Sequence, residues 1–452
     1  MSSEHFDLVV LGTGPSGGTV ATKIAKTGKR VALVDSRTFG GTCALRGCNP
    51  KKVYVNAGQL VDQVQRSEGK LVADASATID WKQLHAFKME FTQPAADKKE
   101  QSFRDEGIQT FHGVARFVSP DTVDVVGTKL TADRFLTATG GRPRELPFAG
   151  ADLVTRSDEF LELETLPEHV VFVGGGYISM EFAGVVARSG RRVTVIEKNE
   201  RVLSGFDSDL VDQLTGSLQE HGVGFEMGVD ISRIERSSDG EMLISFSDTA
   251  KDPMRCGLAV HGAGRVPNID ELSLSRGKIE HSEKGIAVNE FMQNPTNPRV
   301  FATGDCADTS MPRLTPVANE EARIATKNLF ADKFEWTSDY GQVPKVAFTI
   351  PCIASVGQSE MEARQTTPDV KVLADDISTW GSVRKTGSTV AGYKILVAPE
   401  SDLILGAHLL GPSAEETNNL FALAMKFKLT ATDMKSTLFA FPTSASDVRS
   451  ML

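Results

Sequence analysis

Short apolar runs, each followed by a glycine-rich turn and an amphipathic stretch, recur in the first half of the chain. Residues 6–11 (FDLVVL) predict a buried strand, and residues 17–27 predict a helix that ends at Gly28. Residues 30–35 (RVALVD) predict a second strand that ends on Asp35. The pattern is typical of a βαβ unit of about thirty residues.

The same pattern returns 162 residues later. Residues 169–173 (HVVFV) predict a strand, a helix is expected up to Gly190, and residues 192–197 (RVTVIE) close the unit on Glu197. The displacement of 162 relates four pairs of landmarks, which are Gly12 and Gly174, Gly14 and Gly176, Gly28 and Gly190, and Asp35 and Glu197. Because the internal spacing of the two units is the same, the sequence predicts two dinucleotide-binding domains and not a single motif that occurs by chance.

The C-terminal part of the chain has a different pattern. Residues 343–357 and 370–410 contain short strand-like runs, and residues 415–428 and 431–439 have helical character. This part carries no nucleotide-binding glycine loop, so it is expected to form a separate α+β domain. The predicted fold class is therefore α/β, with two Rossmann-like dinucleotide-binding domains followed by a C-terminal α+β domain.

Composition narrows the class of protein. With 452 residues, 40% hydrophobic and 24% charged, the chain is typical of a globular protein and not of a disordered, collagen-like or disulfide-scaffold protein. The net charge of −10, without a Lys/Arg block, argues against nucleic-acid and anionic-membrane partners. Because neither a membrane-spanning run nor a signal-peptide pattern is present, we expect a cytoplasmic protein.

The first glycine loop has the features of a pyrophosphate site. The sequence Gly12-Thr-Gly14-Pro-Ser-Gly17 lies between a predicted strand and a predicted helix, and Asp35 follows 23 residues after the first glycine. The glycines let the backbone approach a pyrophosphate, the helix N-terminus attracts its charge, and Asp35 would accept ribose hydroxyls. A merely structural glycine turn is the weaker alternative, because the loop occurs twice.

The second loop has Ser179 at its third glycine position, and serine is small enough for close packing of helix and strand. Glu197 would accept a hydrogen bond from a free 2′-hydroxyl and repel a 2′-phosphate, which favours NADH over NADPH. Lys198 and Arg201 are nearby cations that a phosphate could still use. Two nucleotide sites in one chain predict FAD in one and NADH or NADPH in the other.

Five cysteines, an odd number, argue against structural disulfides, and only Cys43 and Cys48 are close in sequence. Residues five apart in an ideal helix point about 140° apart, so these two can form a disulfide only where a helix begins or is distorted. The start of a helix also lowers the pKa of a thiol. A disulfide that closes so small a loop adds little stability, which favours reversible redox chemistry.

At residues 40–52 the pattern GGTC-x3-GC-x-PKK resembles the active-site segment of the flavin-dependent pyridine nucleotide–disulfide oxidoreductases, and it is most similar to glutathione reductase. The resemblance covers nearly the whole chain. It extends to residues 138–143 (ATGGRP), 262–268 (GAGRVPN), 300–305 (VFATGD), 314–316 (LTP) and 343–349 (VPKVAFT). It implies an FAD-binding domain at 1–149 and 267–335, an NAD(P)H-binding domain at 150–266 and a dimerisation domain at 336–452.

The resemblance also implies roles for individual residues. Cys48 would be the thiol that faces the flavin, and Cys43 would be the interchange thiol that attacks the substrate. Lys51 would lie near the flavin N5 and pair with Glu181, because a buried lysine needs such a partner to stay charged. Asp305 would bind the ribityl chain.

The resemblance further makes Tyr177 the gate of the nicotinamide pocket. The residues expected to bind cofactors are Gly12, Gly14, Ser16, Gly17, Asp35, Ser36, Gly41, Thr42, Thr139, Gly140, Asp305, Leu314, Thr315, Gly174, Gly176, Tyr177, Ile178, Glu197, Gly264 and Arg265.

The C-terminal segment departs from that family. Its disulfide reductases carry a His-Pro-Thr segment with a Glu five residues after the His, supplied by the partner subunit of a homodimer. Here Phe441 replaces the His and Ser446 replaces the Glu, whereas Pro442 and Thr443 match. Asp447 lies one position further, but an ordinary Asp pKa of about 3.9 suits it poorly to protonating a thiolate. Either Phe441 only packs in the interface, or the substrate is not ordinary oxidised glutathione.

Two other cysteines lie near functional segments. Cys306 follows Asp305, and Cys352 follows a Thr-Ile-Pro segment; both are expected to be small buried residues rather than further redox thiols. The C-terminal cysteine pair of mercuric reductase is missing, which argues against mercury reduction, and the sequence predicts no metal site.

Three functions remain open from the sequence. The first is reduction of an unusual small-molecule or protein disulfide, with electrons passing from NAD(P)H through FAD to Cys43 and Cys48. The second is a diaphorase or quinone reductase, which needs no acid–base His. The third is a non-catalytic redox sensor on the same scaffold, against which the intact residues Cys43, Cys48, Lys51 and Glu181 argue.

Overall fold

A computed structural model describes residues 4–452 of the chain. The strands are β1 (Glu4–Leu11), β2 (Val31–Asp35), β3 (Gln109–His112), β4 (Ala115–Ser119), β5 (Thr122–Val125), β6 (Thr128–Thr137), β7 (Gly141–Pro143), β8 (His169–Val173), β9 (Arg192–Glu197), β10 (Val223–Met227), β11 (Ile231–Arg236), β12 (Met242–Phe246), β13 (Met254–Cys256), β14 (Leu258–His261), β15 (Arg265–Pro267), β16 (His281–Ser282), β17 (Gly285–Ala287), β18 (Val300–Ala302), β19 (Ala307–Asp308), β20 (Lys345–Ala347), β21 (Ile353–Gly357), β22 (Lys371–Asp376), β23 (Gly392–Val397) and β24 (Ile404–Leu410).

The α-helices are α1 (Pro15–Ala25), α2 (Gly41–Leu45), α3 (Cys48–Gln65), α4 (Trp81–Asp105), α5 (Ser157–Phe160), α6 (Tyr177–Ala187), α7 (Ser208–Glu220), α8 (Thr315–Asn328), α9 (Glu360–Thr366), α10 (Gly381–Arg384), α11 (Ala414–Lys426), α12 (Ala431–Ser436) and α13 (Ser444–Met451). The chain divides into two compact units. Unit 1 comprises residues up to 51, 87–144 and 264–340, and unit 2 comprises residues 52–86, 145–263 and 341–452.

Unit 1 is built on a seven-stranded sheet. Its strands follow the order β3-β2-β1-β6-β5-β4, and β18 pairs in parallel with β6. The strands β3, β2, β1 and β6 are parallel, as expected for apolar runs joined by helical crossovers. Because parallel strands end at one edge of a sheet, the glycine loop after β1 and the acid at the end of β2 lie together there.

Unit 2 contains the second nucleotide-binding pattern and the C-terminal domain. A parallel sheet of order β10-β9-β8-β14 is flanked by a three-stranded antiparallel sheet, β11-β12-β13. The C-terminal domain has a five-stranded antiparallel sheet of order β20-β21-β24-β23-β22, on which α11 packs. Every residue of β8 is buried, in keeping with its unbroken apolar sequence.

The predicted repeat is present residue by residue. Helices α1 and α6 each have 11 residues, and both ends of α6 lie 162 positions after those of α1. The α/β fold class with an α+β C-terminal domain is confirmed. The predicted helix 431–439 is shorter in the structure, where α12 ends at Ser436.

Candidate functional site

The glycine loop of unit 1, residues 12–17, is closely packed at Gly12 and Gly17 and open at Gly14. A Cβ atom at Gly12 would lie 2.2 Å from the carbonyl oxygen of Ala138, and one at Gly17 would lie 2.1 Å from that of Gly12. At Gly14 a Cβ would meet nothing within 4 Å, and Gly14 caps α1 without any side-chain hydrogen bond. The open side therefore presents the N–H groups of α1, which fits the pyrophosphate of a dinucleotide.

Asp35 already has partners within the loop. Its Oδ2 accepts the backbone N–H of Thr13 at 2.9 Å and the hydroxyl of Thr13 at 2.6 Å, and its Oδ1 accepts the N–H of Arg37 at 2.9 Å. These bonds use three of the roughly four acceptor positions of a carboxylate. The ribose contact of Asp35 stays a prediction, and these bonds show how the side chain is oriented.

The two neighbouring cysteines are arranged around a break between two helices. Cys43 lies in the short helix α2, the chain turns at Arg46 and Gly47, and Cys48 is the first residue of α3. A Cβ at Gly47 would lie 3.0 Å from the side chain of Thr42, so the turn leaves little space for a larger residue. This is the helix start that the sequence analysis required for a pair five residues apart.

Both sulfur atoms converge on one hydroxyl group. The Oγ1 atom of Thr315 lies 3.4 Å from Cys43 Sγ and 3.8 Å from Cys48 Sγ, and the two cysteine side chains also hydrogen-bond each other. Thr315 is the first residue of α8, a helix of 14 residues. Thr315 is predicted from the sequence to bind the cofactor, and the structure adds this contact with the cysteine pair.

The pKa of Cys43 differs from the sequence-based expectation for a thiol near a helix start. The hydrogen bond to Cys48 and then burial raise the pKa of Cys43 well above the usual range, whereas the hydroxyl of Thr315 lowers it. Because Cys43 donates its proton in the bond to Cys48, the proton of the reduced pair is held on Cys43. Both residues are free thiols in the structure.

Asp305 lies in the turn Gly304–Cys306 of unit 1. Burial raises its pKa, and the charges of Arg265 and Arg313 oppose that shift. Arg265 donates a hydrogen bond to the carbonyl oxygen of Gly141, and β15 pairs with β7. Gly264 and Arg265 thus belong to unit 1, beside Asp305.

The other predicted cofactor residues of unit 1 surround the same loop. Ser16 bonds the hydroxyl of Thr303 at 2.5 Å, and a Cβ at Gly41 would lie 2.4 Å from Gly14 Cα. The carbonyl oxygen of Gly140 accepts the N–H of Asn268 at 2.9 Å. Leu314 is the N-cap of α8, Ser36 and Thr42 are exposed, and Thr139 has a buried hydroxyl.

The glycine loop of unit 2 repeats the construction. A Cβ at Gly174 would lie 2.5 Å from Ala263 Cα, and one at Gly176 would lie 3.0 Å from the carbonyl oxygen of Gly262. Gly176 caps α6 without a side-chain bond. Tyr177 begins α6 and is 44% exposed, whereas Ile178 is half-buried. A helix start without a side-chain cap, next to an exposed aromatic side chain, fits a nicotinamide nucleotide.

Glu197 is buried and hydrogen-bonded to the glycine loop of unit 2. Its Oε2 accepts the N–H of Gly175 at 2.6 Å, and its Oε1 accepts the N–H and side-chain amide of Asn199 at 2.9 and 2.6 Å. Arg201, one of the two cations left open by the sequence, is bonded to both carboxylate oxygens of Asp212 at 2.9 and 3.2 Å. Lys198 is exposed.

Unit 2 contains an ion pair that the sequence analysis missed. Lys52 Nζ lies 2.7 Å from Glu181 Oε2, and the ammonium group also lies 3.8 Å from the ring centre of Phe348. The other oxygen of Glu181 accepts the N–H of Phe348 at 3.0 Å. Glu181 is 1% exposed. Lys51 is buried in unit 1, and its pairing with Glu181 stays a prediction.

The C-terminal segment has no acid–base side chain at the position of the expected His. Phe441 is 87% exposed in the single chain. Thr443 is the N-cap of α13, and Ser446 completes a capping box with it through bonds of 3.2 Å in both directions. Ser446 therefore stabilises the helix start, and the replaced Glu position has a structural role here.

The remaining cysteines are buried. Burial raises the pKa of Cys306 to about 11 and that of Cys256 to about 12. Burial also raises the pKa of Cys352, whose thiol donates to the carbonyl oxygen of Ala347 at 3.5 Å. Because these sulfur atoms are buried, an acceptor molecule cannot reach them. Across residues 4–452 no group of three or more His, Cys, Asp or Glu side chains could hold a metal ion.

Comparison with known proteins identifies the class. A family model described as pyridine nucleotide-disulphide oxidoreductase matches residues 6–322, and the dimerisation-domain model of that name matches residues 343–452. The chain belongs to the pyridine nucleotide-disulphide oxidoreductase family. It is a flavoprotein oxidoreductase, the family implies FAD and NAD(P)H, and the dimerisation domain supports a homodimer.

Individual relatives have several activities. Glutathione reductase of Burkholderia cepacia is 32% identical over 99% of this chain and 98% of that protein. Mercuric reductase of Lysinibacillus sphaericus (28% identity; 99% and 82% coverage) and a dihydrolipoyl dehydrogenase of Bacillus subtilis (28%; 97% and 93%) are also similar. Two Cu(II)-complex structures of the HOCl-induced flavoprotein disulfide reductase RclA of Escherichia coli have TM-scores of 0.89 at 24% and 23% identity, covering 99% of both chains. At that identity they show the fold alone.

No helix within the described part of the chain is long and apolar enough to cross a membrane.

Proposed function

We propose that the protein passes electrons from NADH through FAD to the Cys43–Cys48 pair and then to a disulfide-type acceptor other than ordinary oxidised glutathione. The observation that carries this proposal is the convergence of both sulfur atoms on Thr315 Oγ1 at the start of α8. A structural cysteine pair would not need a polar group shared by both sulfurs. FAD, when bound, supplies the two-electron carrier between the nicotinamide and the cysteines.

The cysteines then complete the transfer. Reduction breaks the bond between the two sulfur atoms, adds two electrons to them and leaves a proton on Cys43. After Cys43 releases that proton to solvent, its sulfur attacks the acceptor disulfide, which forms a mixed disulfide and releases one acceptor thiolate. Attack by Cys48 on Cys43 releases the second acceptor thiolate and re-forms the internal disulfide. Protons taken from solvent balance the two thiols produced.

The acceptor class follows from the missing proton donor. A released thiolate is normally protonated by a positioned His, and such a group is worth about 10²–10⁴-fold in rate. Phe441 can neither donate nor accept a proton, and Ser446 is bonded to Thr443. The proposed acceptor is therefore a small-molecule or protein disulfide whose thiolate is stable without protonation, such as an activated aromatic disulfide.

The preference for NADH is supported by charge. Glu197 places a buried carboxylate at the end of β9, where it would repel a 2′-phosphate. Arg201 pairs with the carboxylate of Asp212, so its charge is already partly neutralised. The proposed setting is the cytoplasm, because five cysteines with a single closely spaced pair argue against the structural disulfides of secreted proteins.

A diaphorase or quinone reductase is the second candidate. The exposed aromatic ring of Phe441 favours it, because a quinone needs an apolar contact and no acid–base His at that position. In this candidate the acceptor takes electrons from the flavin or the cysteines.

The two candidates differ in their dependence on Cys43. In Cys43→Ala holoenzyme, NADH-dependent turnover of an aromatic disulfide should be lost, whereas quinone reduction should persist. Cys256→Ala, which removes a buried cysteine of β13, is the matched control and should retain both activities. Disulfide turnover that survives in Cys43→Ala would refute the proposed cysteine mechanism.

A further inference from the structure

A buried carboxyl group in unit 1 is not used by the nucleotide loops or the cysteine pair. Glu321 lies on α8 and is 1% exposed. Its Oε2 accepts the N–H of Gly304 at 2.5 Å, and its Oε1 accepts the hydroxyls of Thr309 at 3.1 Å and Tyr340 at 3.3 Å. One side chain thus joins α8 to three other segments of the unit.

The hydrogen bond from Gly304 to Glu321 fixes the position of the turn that carries Asp305. Gly304 begins the turn that presents Asp305, and its φ of +73° lies in the left-handed region that favours glycine. Because glycine is conformationally permissive, the position of the Gly304–Cys306 turn depends on the hydrogen bonds that hold it. Asp305, Arg313, Leu314 and Glu321 line the same cleft.

We propose that Glu321 is a positioning residue for the bound flavin: it fixes the turn that carries Asp305, and its charge controls how readily the flavin accepts electrons. This inference rests on the proposed function, because it requires FAD to bind unit 1 next to Asp305.

The Glu321 carboxyl group titrates near neutral pH because of its surroundings. Burial raises the pKa of Glu321 to about 7, with a further contribution from the charge of Asp305. The ionisable groups that face this pair are Tyr340 on the side of Glu321, and Arg265, Arg313, Cys43 and Cys306 on the side of Asp305. Above about pH 7 a second negative charge therefore lies beside Asp305, and it opposes the addition of electrons to the flavin.

Three variants separate these roles. Glu321→Gln keeps an oxygen that can accept the N–H of Gly304 but removes the titration. Glu321→Leu removes the acceptor as well. Glu320→Gln is the matched control, because it removes the adjacent carboxylate of α8, which pairs with Arg323 at 2.7 Å instead of holding the turn.

Two readouts on the purified holoenzymes test the inference without turnover. The first is the rate of FAD release, followed by the recovery of flavin fluorescence. Release should be at least tenfold faster in Glu321→Leu and within about threefold of wild type in Glu321→Gln and Glu320→Gln. The second is the flavin midpoint potential measured between pH 5.5 and 9. Its plot against pH should bend near pH 7 in wild type and Glu320→Gln, and the bend should be missing in Glu321→Gln.

A bend that remains in Glu321→Gln would overturn the inference, as would unchanged FAD release in Glu321→Leu. If Glu321→Leu does not fold, the pH profile of Glu321→Gln decides alone. Failure of the proposed function gives a different result, because wild-type protein that takes up no flavin would refute the flavin site itself.

Discussion

Glu197 accepts the backbone N–H of Gly175 at 2.6 Å, and the corresponding bond 162 positions earlier joins Asp35 to Thr13 at 2.9 Å. In both units the acid at the end of the second strand holds the middle residue of the glycine loop. The other carboxylate oxygen accepts an N–H two residues further along the chain in each case. The two glycine loops are therefore held by the same pair of backbone hydrogen bonds, and they differ in the residues that surround the acid.

The first prediction concerns the nucleotide. The kcat/KM for NADH should exceed that for NADPH, because the Glu197 carboxylate repels a 2′-phosphate and Arg201 is bonded to Asp212. Glu197→Ala should reduce the ratio about tenfold or more, because the KM for NADPH falls when the repulsion is removed and the KM for NADH rises when the ribose hydrogen bond is lost. Steady-state rates with both nucleotides and one quinone test this, with Glu200→Ala as the exposed control. A wild-type preference for NADPH would rule out the proposed role of Glu197.

The second prediction concerns stability. Lys52→Met removes the cation that lies 2.7 Å from the buried Glu181 carboxylate, so unfolding should become easier by about 1–3 kcal/mol. This loss is smaller than the roughly 3–5 kcal/mol expected for a fully buried pair, because Lys52 is 34% exposed. Denaturant unfolding of the holoenzyme measures the loss, and Lys70→Met, at an exposed position, should change stability by less than about 0.5 kcal/mol. Equal stability of the two variants would contradict the importance of this pair.

The third prediction concerns pH. The pKa of Glu321 rises from its ordinary 4.5 to about 7 in the folded chain, so the folded state binds more protons than the unfolded state between these values. Stability should therefore fall as pH rises through this window, by up to about 3 kcal/mol. Glu321→Gln should remove that fall.

Unfolding midpoints of wild type and Glu321→Gln at pH 5 and pH 8 measure the effect. The variant should gain stability relative to wild type at pH 8 compared with pH 5. The same difference at both pH values would show that the carboxyl does not titrate in this range.

The fourth prediction concerns the acceptor. Phe441→His combined with Ser446→Glu should raise the rate of oxidised glutathione reduction at least tenfold, because it supplies a positioned acid–base group. The introduced glutamate can still complete the capping box with Thr443, so α13 should remain folded. Rates with oxidised glutathione and with an aromatic disulfide are compared, and Ser446→Glu alone is the control. An unchanged glutathione rate would mean that another feature limits the acceptor.

Much of the fold could be predicted from local patterns. The strand–glycine–helix unit is coded within about thirty residues, so its repeat, its glycine loops and its terminal acids were identified correctly. The requirement for a helix start at the cysteine pair was also correct, since α2 ends before α3 begins at Cys48.

Side-chain contacts between residues far apart in the chain could not be predicted from local sequence patterns. Lys52 was missed because two adjacent lysines differ only in which side of α3 they occupy. Glu321 was missed as well, although helical spacing places it on the buried side of α8 with Val317, Ile324 and Asn328. The raised pKa of Cys43 arises from a bond to Cys48 and from burial, neither of which sequence spacing reveals.

The central claim is that electrons from NADH reach Cys43 and Cys48. The most direct test is anaerobic addition of one equivalent of NADH to the oxidised holoenzyme, followed by alkylation and mass spectrometry of the cysteine peptides. The account predicts that Cys43 is alkylated after NADH and not before it, while the buried Cys256, Cys306 and Cys352 remain unmodified in both samples. If the flavin is bleached by NADH but Cys43 stays unmodified, the cysteine pair lies outside the electron path and the account is wrong.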